Sequence, residues 1–140
     1  MDVFSRTELL LGQAGMERLK KARVAVFGLG GVGGYAAEAL ARSGVGALDL
    51  VDNDIVSETN INRQIVALLS TVGKRKTEAA AARIKDVSPA CAVRCFDLFV
   101  TDETVNAFRF ADYDYVIEAI DTVSGKLAIV KACAAAKTPI

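Results

Sequence analysis

Histidine and tryptophan are missing from these 140 residues, proline occurs only at Pro89 and Pro139, and cysteine only three times. Without histidine there is no imidazole base, no imidazole metal ligand and no Ser-His-Asp relay. Cys91, Cys95 and Cys133 make no C-x-x-C pair, so no zinc knuckle or dithiol centre is expected inside the chain and the thiols read as inert. No apolar run approaches the roughly 18 residues needed to cross a bilayer, and the acidic start Met1-Asp2-Val3, with Arg6 and Glu8, is unlike a secretory leader. A cytoplasmic protein without membrane association is the expectation. Charge of one sign is lacking too, because 17 Lys and Arg offset 17 Asp and Glu. No bulk field recruits nucleic acid or anionic lipid, which leaves only local basic patches for such contacts. Any chemistry must therefore use carboxylates, Arg, Lys, backbone amides or an oxygen-bound metal.

What is present is a regular alternation of strand and helix patterns. Residues 1–21 read as a helical lead-in, with Leu9, Leu10, Leu11, Met16 and Leu19 as an apolar stripe broken at Gly12 and Gly15. Residues 23–27 are a short β-branched and apolar run, the expected buried first strand of a parallel sheet, and 47–51, 92–96 and 113–119 read as the second, third and fourth strands. Helical periodicity lies between them: from Val32 to Ser43, with Val32, Ala36, Ala39 and Leu40 on one face, and from about Lys74 to Val87, with Ala80, Ala81, Ile84 and Val87 inward. A short helix is predicted over Gln64–Leu69, another after a Thr101 cap, and a last one from a Ser124 cap to near Lys137. This order predicts an α/β, Rossmann-like, doubly wound and mainly parallel sheet over residues 22–140. Thr138-Pro139-Ile140 reads as the approach to a fifth strand, so the expectation is the N-terminal part of a longer domain, truncated after its fourth strand-helix unit.

Gly28-Leu29-Gly30-Gly31-Val32-Gly33 falls between the first strand and the first core helix and matches G-x-G-x-x-G. Gly28 allows the tight exit from the strand, Gly30 a close backbone approach to phosphate, and Gly33 close helix packing, while the helix amides point at an anion. Asp52 ends the second strand, where its carboxylate can accept hydrogen bonds from both ribose hydroxyls. This does not separate NAD from ATP. Asn60, Arg63, Gln64, Lys74 and Lys76 after the second strand, and Asp121 after the fourth, all lie at carboxyl ends of strands. Taken singly, Lys74 and Lys76 read as the solvated face of a helix. Together these groups suit a polyphosphate with Mg2+ held through oxygen, and they disfavour the apolar nicotinamide slot of an NAD-dependent dehydrogenase.

The ordered segments Gly28–Gly33, Val51–Val56, Thr59-Asn60-Ile61-Asn62-Arg63-Gln64, Val72-Gly73-Lys74-Arg75-Lys76 and Ile120-Asp121 resemble the signatures of the E1-like activating enzymes, over roughly residues 4–140. Within that superfamily, Ala37–Gly46, Thr59–Gln64 and Leu11–Leu19 are most similar to the tRNA threonylcarbamoyladenosine dehydratase branch. The resemblance implies an ATP- and Mg2+-dependent enzyme that adenylates a substrate carboxylate and promotes its cyclisation on tRNA. The competing branch adenylates the C-terminal carboxylate of a ubiquitin-like sulfur-carrier protein, and a folded but non-catalytic binding domain is a further alternative. It also implies roles: Asp52 for ribose, Asn60, Arg63 and Lys76 for phosphates, Gln64 for the adenosine or phosphate side, and Asp121 for Mg2+ and the α-phosphate region. Gly28, Gly30, Gly31, Gly33 and Asp54 complete the nucleotide-binding set. Arg6 resembles an arginine that, in the family's homodimers, reaches into the partner's ATP site, which makes Arg6, Arg63, Lys76 and Asp121 the expected catalytic group.

Overall fold

The computed structural model describes residues 2–140. Its central strands, β1 (Arg23–Phe27), β2 (Ala47–Val51), β3 (Ala92–Phe96) and β4 (Tyr115–Glu118), form one parallel sheet in the order β3-β2-β1-β4. Four helices connect or flank them: α1 (Ser5–Lys21), α2 (Gly33–Arg42), α3 (Lys76–Val87) and α4 (Val123–Ala136). The sheet is Rossmann-like, with helices on both faces.

Side chains alternate across the pleat, so successive residues of one strand feed two cores. Val24, Val26, Leu48 and Leu50 face α2 and α3, where they meet Ala37, Ala41, Ala80 and Ile84. Ala25, Phe27, Val51 and Val116 face the other way, against Ala128, Ile129 and Cys133 of α4 and the aromatic residues Phe108, Phe110 and Tyr113. The Phe27 ring sits edge-on to Phe108 at 5.0 Å between centroids and stacks with Phe110 at 5.8 Å. Because Phe27 is the last residue of β1, this cluster fixes where the glycine turn begins.

Several sequence expectations need correction. Residues 64–69 form turns and no helix. Thr71 Oγ1 donates to the Val66 carbonyl at 2.7 Å and accepts the Leu68 N–H at 2.8 Å, closing a local loop that competes with helical bonding. Thr101 does accept the Glu103 and Thr104 amides, but it leads into a 3-10 turn at Thr104–Ala107 and a second at Phe110–Asp112, spaced to bring the phenylalanines onto Phe27. Helix α4 starts one residue before Ser124, with Thr122 at its cap position. The inner face of α2 is Gly33, Gly34, Ala37, Glu38 and Ala41, whereas Val32 and Ala39 are exposed. The apolar stripe of α1 divides at Gly12, whose φ of 70° interrupts the helix. Met16 is buried beyond the break, but Leu9 and Leu10 before it are both 86% exposed. The cysteines are free, Cys91 and Cys133 buried and Cys95 exposed. Past α4, the Pro139 carbonyl accepts the Val116 N–H at 2.9 Å, so the chain there lies against the outer edge of β4.

Candidate functional site

A cleft of about 500 Å3 opens at the carboxyl ends of all four strands. Its centre is the switch point between β1 and β4, from which the chain runs outward to β3 on one side and to β4 on the other. Open α/β sheets bind ligands at such a point, since the loops leaving the two strands diverge and leave a crevice.

The glycine turn forms the floor. Gly28 has a φ of 90°, and a side chain there would come within 2.5 Å of the Ala119 carbonyl oxygen. At Gly33 a methyl would lie 1.7 Å from the Gly28 carbonyl oxygen. Both positions are closed by the protein itself. Gly30 and Gly31 are different: neither has positive φ, and the nearest atoms to an added methyl are 3.8 Å and 3.6 Å away. Nothing in the fold demands glycine at these two positions, so the open surface there fits a ligand that lies against bare backbone. Gly33 lies behind the floor, outside the lining of the cleft, at the first turn of α2.

Asp52 clamps this floor to the adjoining wall. Its Oδ2 accepts the Leu29 N–H and its Oδ1 the Asp54 N–H, each at 2.8 Å. Each carboxylate oxygen keeps a further lone pair for a hydroxyl. The wall after β2 carries the polar side chains. Asn60 Oδ1 accepts the Ser57 N–H at 3.0 Å and closes a capping box around the 3-10 turn Glu58–Asn60. Arg63 is exposed and steadied by Nη1 bonds to the Thr59 carbonyl and to Asn62 Oδ1. Lys76, which taken singly reads as a solvated helix face, lines the cleft, is only 5% exposed and donates from Nζ to Asp54 Oδ2 at 3.2 Å. Its backbone N–H also bonds the Asp54 carbonyl, so the start of α3 is pinned to the segment after β2. Lys74 is exposed and is not part of the lining.

Asp121 lines the same cleft from the loop after β4 and is exposed. Its loop is held by Glu118, whose Oε1 accepts the Ile120 N–H at 2.8 Å while both carboxylate oxygens take Lys126 Nζ. Thus Gly28, Gly30, Gly31, Asp52, Asp54, Asn60, Arg63, Gln64, Lys76 and Asp121 meet in one cleft. Arg6 does not; it is exposed on α1 and lies outside this lining. Sequence reasoning missed the apolar wall Leu98-Phe99-Val100 and Ile120, a surface suited to a flat base. The available signal was position alone, because the first three lie in the loop after β3.

Fold and cleft define an α/β protein of Rossmann-like architecture with a polar cleft at the carboxyl ends of its parallel strands. The chain belongs to the ThiF family, whose model matches residues 4–140. It is 51% identical over 137 residues to the tRNA threonylcarbamoyladenosine dehydratase of Bacillus subtilis, covering 98% of this chain and 54% of that protein. It is 36% identical over 126 residues to the molybdopterin-synthase adenylyltransferase of Escherichia coli, covering 90% and 50%. Among solved structures, the E. coli tRNA N6-threonylcarbamoyladenosine dehydratase in complex with ATP superimposes with a TM-score of 0.94 at 45% identity, covering 97% of this chain and 56% of that one. The chain spans about half the length of the curated relatives it matches.

Proposed function

We propose that this chain is the nucleotide-binding part of an ATP-dependent tRNA threonylcarbamoyladenosine dehydratase that acts in the cytoplasm as a homodimer. The observation that carries the reading is the gathering of Asp52, Asn60, Arg63, Lys76 and Asp121 around a glycine floor with room at Gly30 and Gly31. The identity to the B. subtilis dehydratase, 51% against 36% for the molybdopterin-synthase adenylyltransferase, favours the tRNA branch.

ATP fits the cleft, and when bound it would supply the adenylyl group that makes a substrate carboxylate electrophilic. The chain's own contribution is to hold charge in place, since a carboxylate is already ionised at neutral pH and needs no general base. Arg63 and Lys76 would neutralise phosphate oxygens beside the bare backbone of the floor, and Asn60 would position them. Asp52 would take the ribose hydroxyls with its remaining lone pairs. Mg2+ commonly uses one or two carboxylates and completes its shell with phosphate oxygens and water. Asp121 would be such a carboxylate. Among the described residues no cluster of three or more metal-ligating side chains exists, so the cation would be held jointly with the nucleotide.

The test is AMP release by the full-length protein with ATP and Mg2+, comparing tRNA that bears threonylcarbamoyladenosine with a sulfur-carrier protein ending in Gly-Gly. Release that depends on the modified tRNA, with loss of water from its nucleoside, is the expected result. Release only with the carrier would move the protein to the sulfur-transfer branch.

A further inference from the structure

We propose that Glu118 and Lys126 are positioning residues for Asp121: together they fix the loop that carries this carboxylate, and Lys126 cancels a second negative charge on the same loop. The inference rests on the nucleotide reading above. Glu118 ends β4, Lys126 is the fourth residue of α4, and neither lines the cleft. Ala119, Ile120, Asp121 and Thr122, which join them, all line it. Asp121 is exposed, so the place of its carboxylate is set by the backbone that carries it. Glu118 Oε1 accepts the Ile120 N–H at 2.8 Å and thereby holds the amide next to Asp121. Lys126 Nζ donates to the same Oε1 at 2.9 Å and to Oε2 at 3.0 Å, which ties the two ends of the loop together. The Lys126 backbone N–H donates to the Thr122 carbonyl at 3.0 Å, so the same residue also starts the helix.

The surrounding backbone leaves this loop little room. A methyl at Gly28 would lie 2.5 Å from the Ala119 carbonyl oxygen, and one at Gly125 would lie 2.6 Å from Ile120 Cδ1 and 2.7 Å from Thr122 Oγ1. The loop is thus wedged between the glycine turn and α4, both of them bare where they meet it. The ion pair completes the wedge. A half-exposed pair contributes little to stability by itself, and a neutral glutamine would accept the Ile120 N–H as well. A carboxylate accepts it more strongly because the bond is charge-assisted. The Glu118 side chain is only 15% exposed, however, and a charge so shielded from water needs a partner. Lys126 supplies it. Without Lys126, two carboxylates three residues apart would stand on one loop of a cleft that takes an anion, and their repulsion would act on the exposed one, Asp121.

ATP affinity in the presence of Mg2+ should be measured on full-length variants, well below the Tm of each. Lys126→Met strands the Glu118 charge and is expected to weaken ATP about tenfold, the scale of one lost charge-assisted hydrogen bond. Lys126→Arg restores the cation, and Glu118→Gln/Lys126→Met removes the stranded charge while keeping an acceptor for the Ile120 N–H. Both are expected within about twofold of wild type. Asp121→Asn is expected to weaken ATP by itself, and Lys126→Met added to it should cost no more than about a further twofold, because the group it misplaces is already gone. A full tenfold loss in the Asp121→Asn background, no recovery in Glu118→Gln/Lys126→Met, or unaltered affinity in Lys126→Met overturns the proposal. Should Lys126→Met not fold, Glu118→Ala/Lys126→Met replaces it: this variant lacks the acceptor and is expected to bind ATP about tenfold more weakly than Glu118→Gln/Lys126→Met, and equal affinities overturn the proposal. Wild-type binding of ATP that Asp121→Asn leaves unchanged overturns this inference and spares the nucleotide reading, whereas a wild type that does not bind ATP overturns both.

Discussion

Asp49 carries a charge in the middle of β2 with no exposed side-chain surface. Arg94 bonds it at 2.8 Å and 2.6 Å, Arg23 at 3.0 Å, and the Tyr113 hydroxyl at 2.7 Å, so every lone pair in its plane has a donor nearby. Burial pushes the Asp49 carboxyl up, but the hydrogen bonds from Arg94 and Tyr113 and the two guanidinium charges outweigh it and hold the group below the usual carboxylate range. Glu38, between α2 and α3, is also pushed up by burial and held down more strongly by Arg83 and Arg42. Both groups stay ionised in the folded protein at a pH where the unfolded chain already takes up protons. Their stabilisation is fully present above the unfolded values of about 4 and is lost as pH falls through the lower folded values. Asp49→Asn is expected to destabilise the protein at pH 7 by about 3 kcal/mol, the scale of removing one partner from a buried ion pair. It should also flatten the loss of stability below pH 4. Urea midpoints from pH 7 to pH 3 check both statements, and a neutral-pH midpoint equal to wild type would refute the first.

At the scale of the element, the glycine turn contains two kinds of glycine. Gly28 and Gly33 serve the chain, since an added methyl meets backbone in both places, whereas Gly30 and Gly31 leave space that the chain does not use. Gly33→Ala is therefore expected to disturb the packing of α2 on β1 and lower Tm sharply. Gly30→Ala should leave Tm within about 2 °C of wild type, as for a substitution worth under 0.5 kcal/mol, while reducing ATP affinity at least about tenfold by crowding the phosphates. Thermal melts paired with nucleotide titrations separate the two. Equal damage to folding in both variants would mean that the turn is purely architectural.

At the scale of the whole molecule, Arg6 is the expected catalytic residue that its own cleft does not include. It precedes the break at Gly12, on the same segment of α1 as the exposed Leu9 and Leu10. An arginine donated across a two-fold interface makes a specific demand on mixed oligomers. Full-length Arg6→Ala and Asp121→Ala should each be inactive alone and should recover activity when mixed, because one site of the hetero-oligomer then holds both residues. Mixtures as inactive as the separate variants would remove Arg6 from the site.

The strands β1, β2 and β3 were readable to the residue, because each is a short, mainly apolar run bounded by turn or helix signals, although β3 lies at the sheet edge with its residues exposed or half-buried. The positions of Asp52, Asn60, Arg63 and Asp121 were readable as well, since parallel strands all release their loops at one end. What the sequence did not show depends on residues far apart in the chain. Asp49 looks like a polar interruption of a strand until Arg94 and Tyr113, 45 and 64 residues later, reach it. Lys76 looks like a surface cation until Asp54 and the packing of α3 enclose it. Leu9, Leu10, Leu68 and Leu69 look like core and are exposed, because a local pattern records that a side chain is apolar but not which surface it meets. Local sequence thus determined the elements and the end of the sheet at which a site must form. Tertiary packing alone decided which charges are buried and which partner each one has.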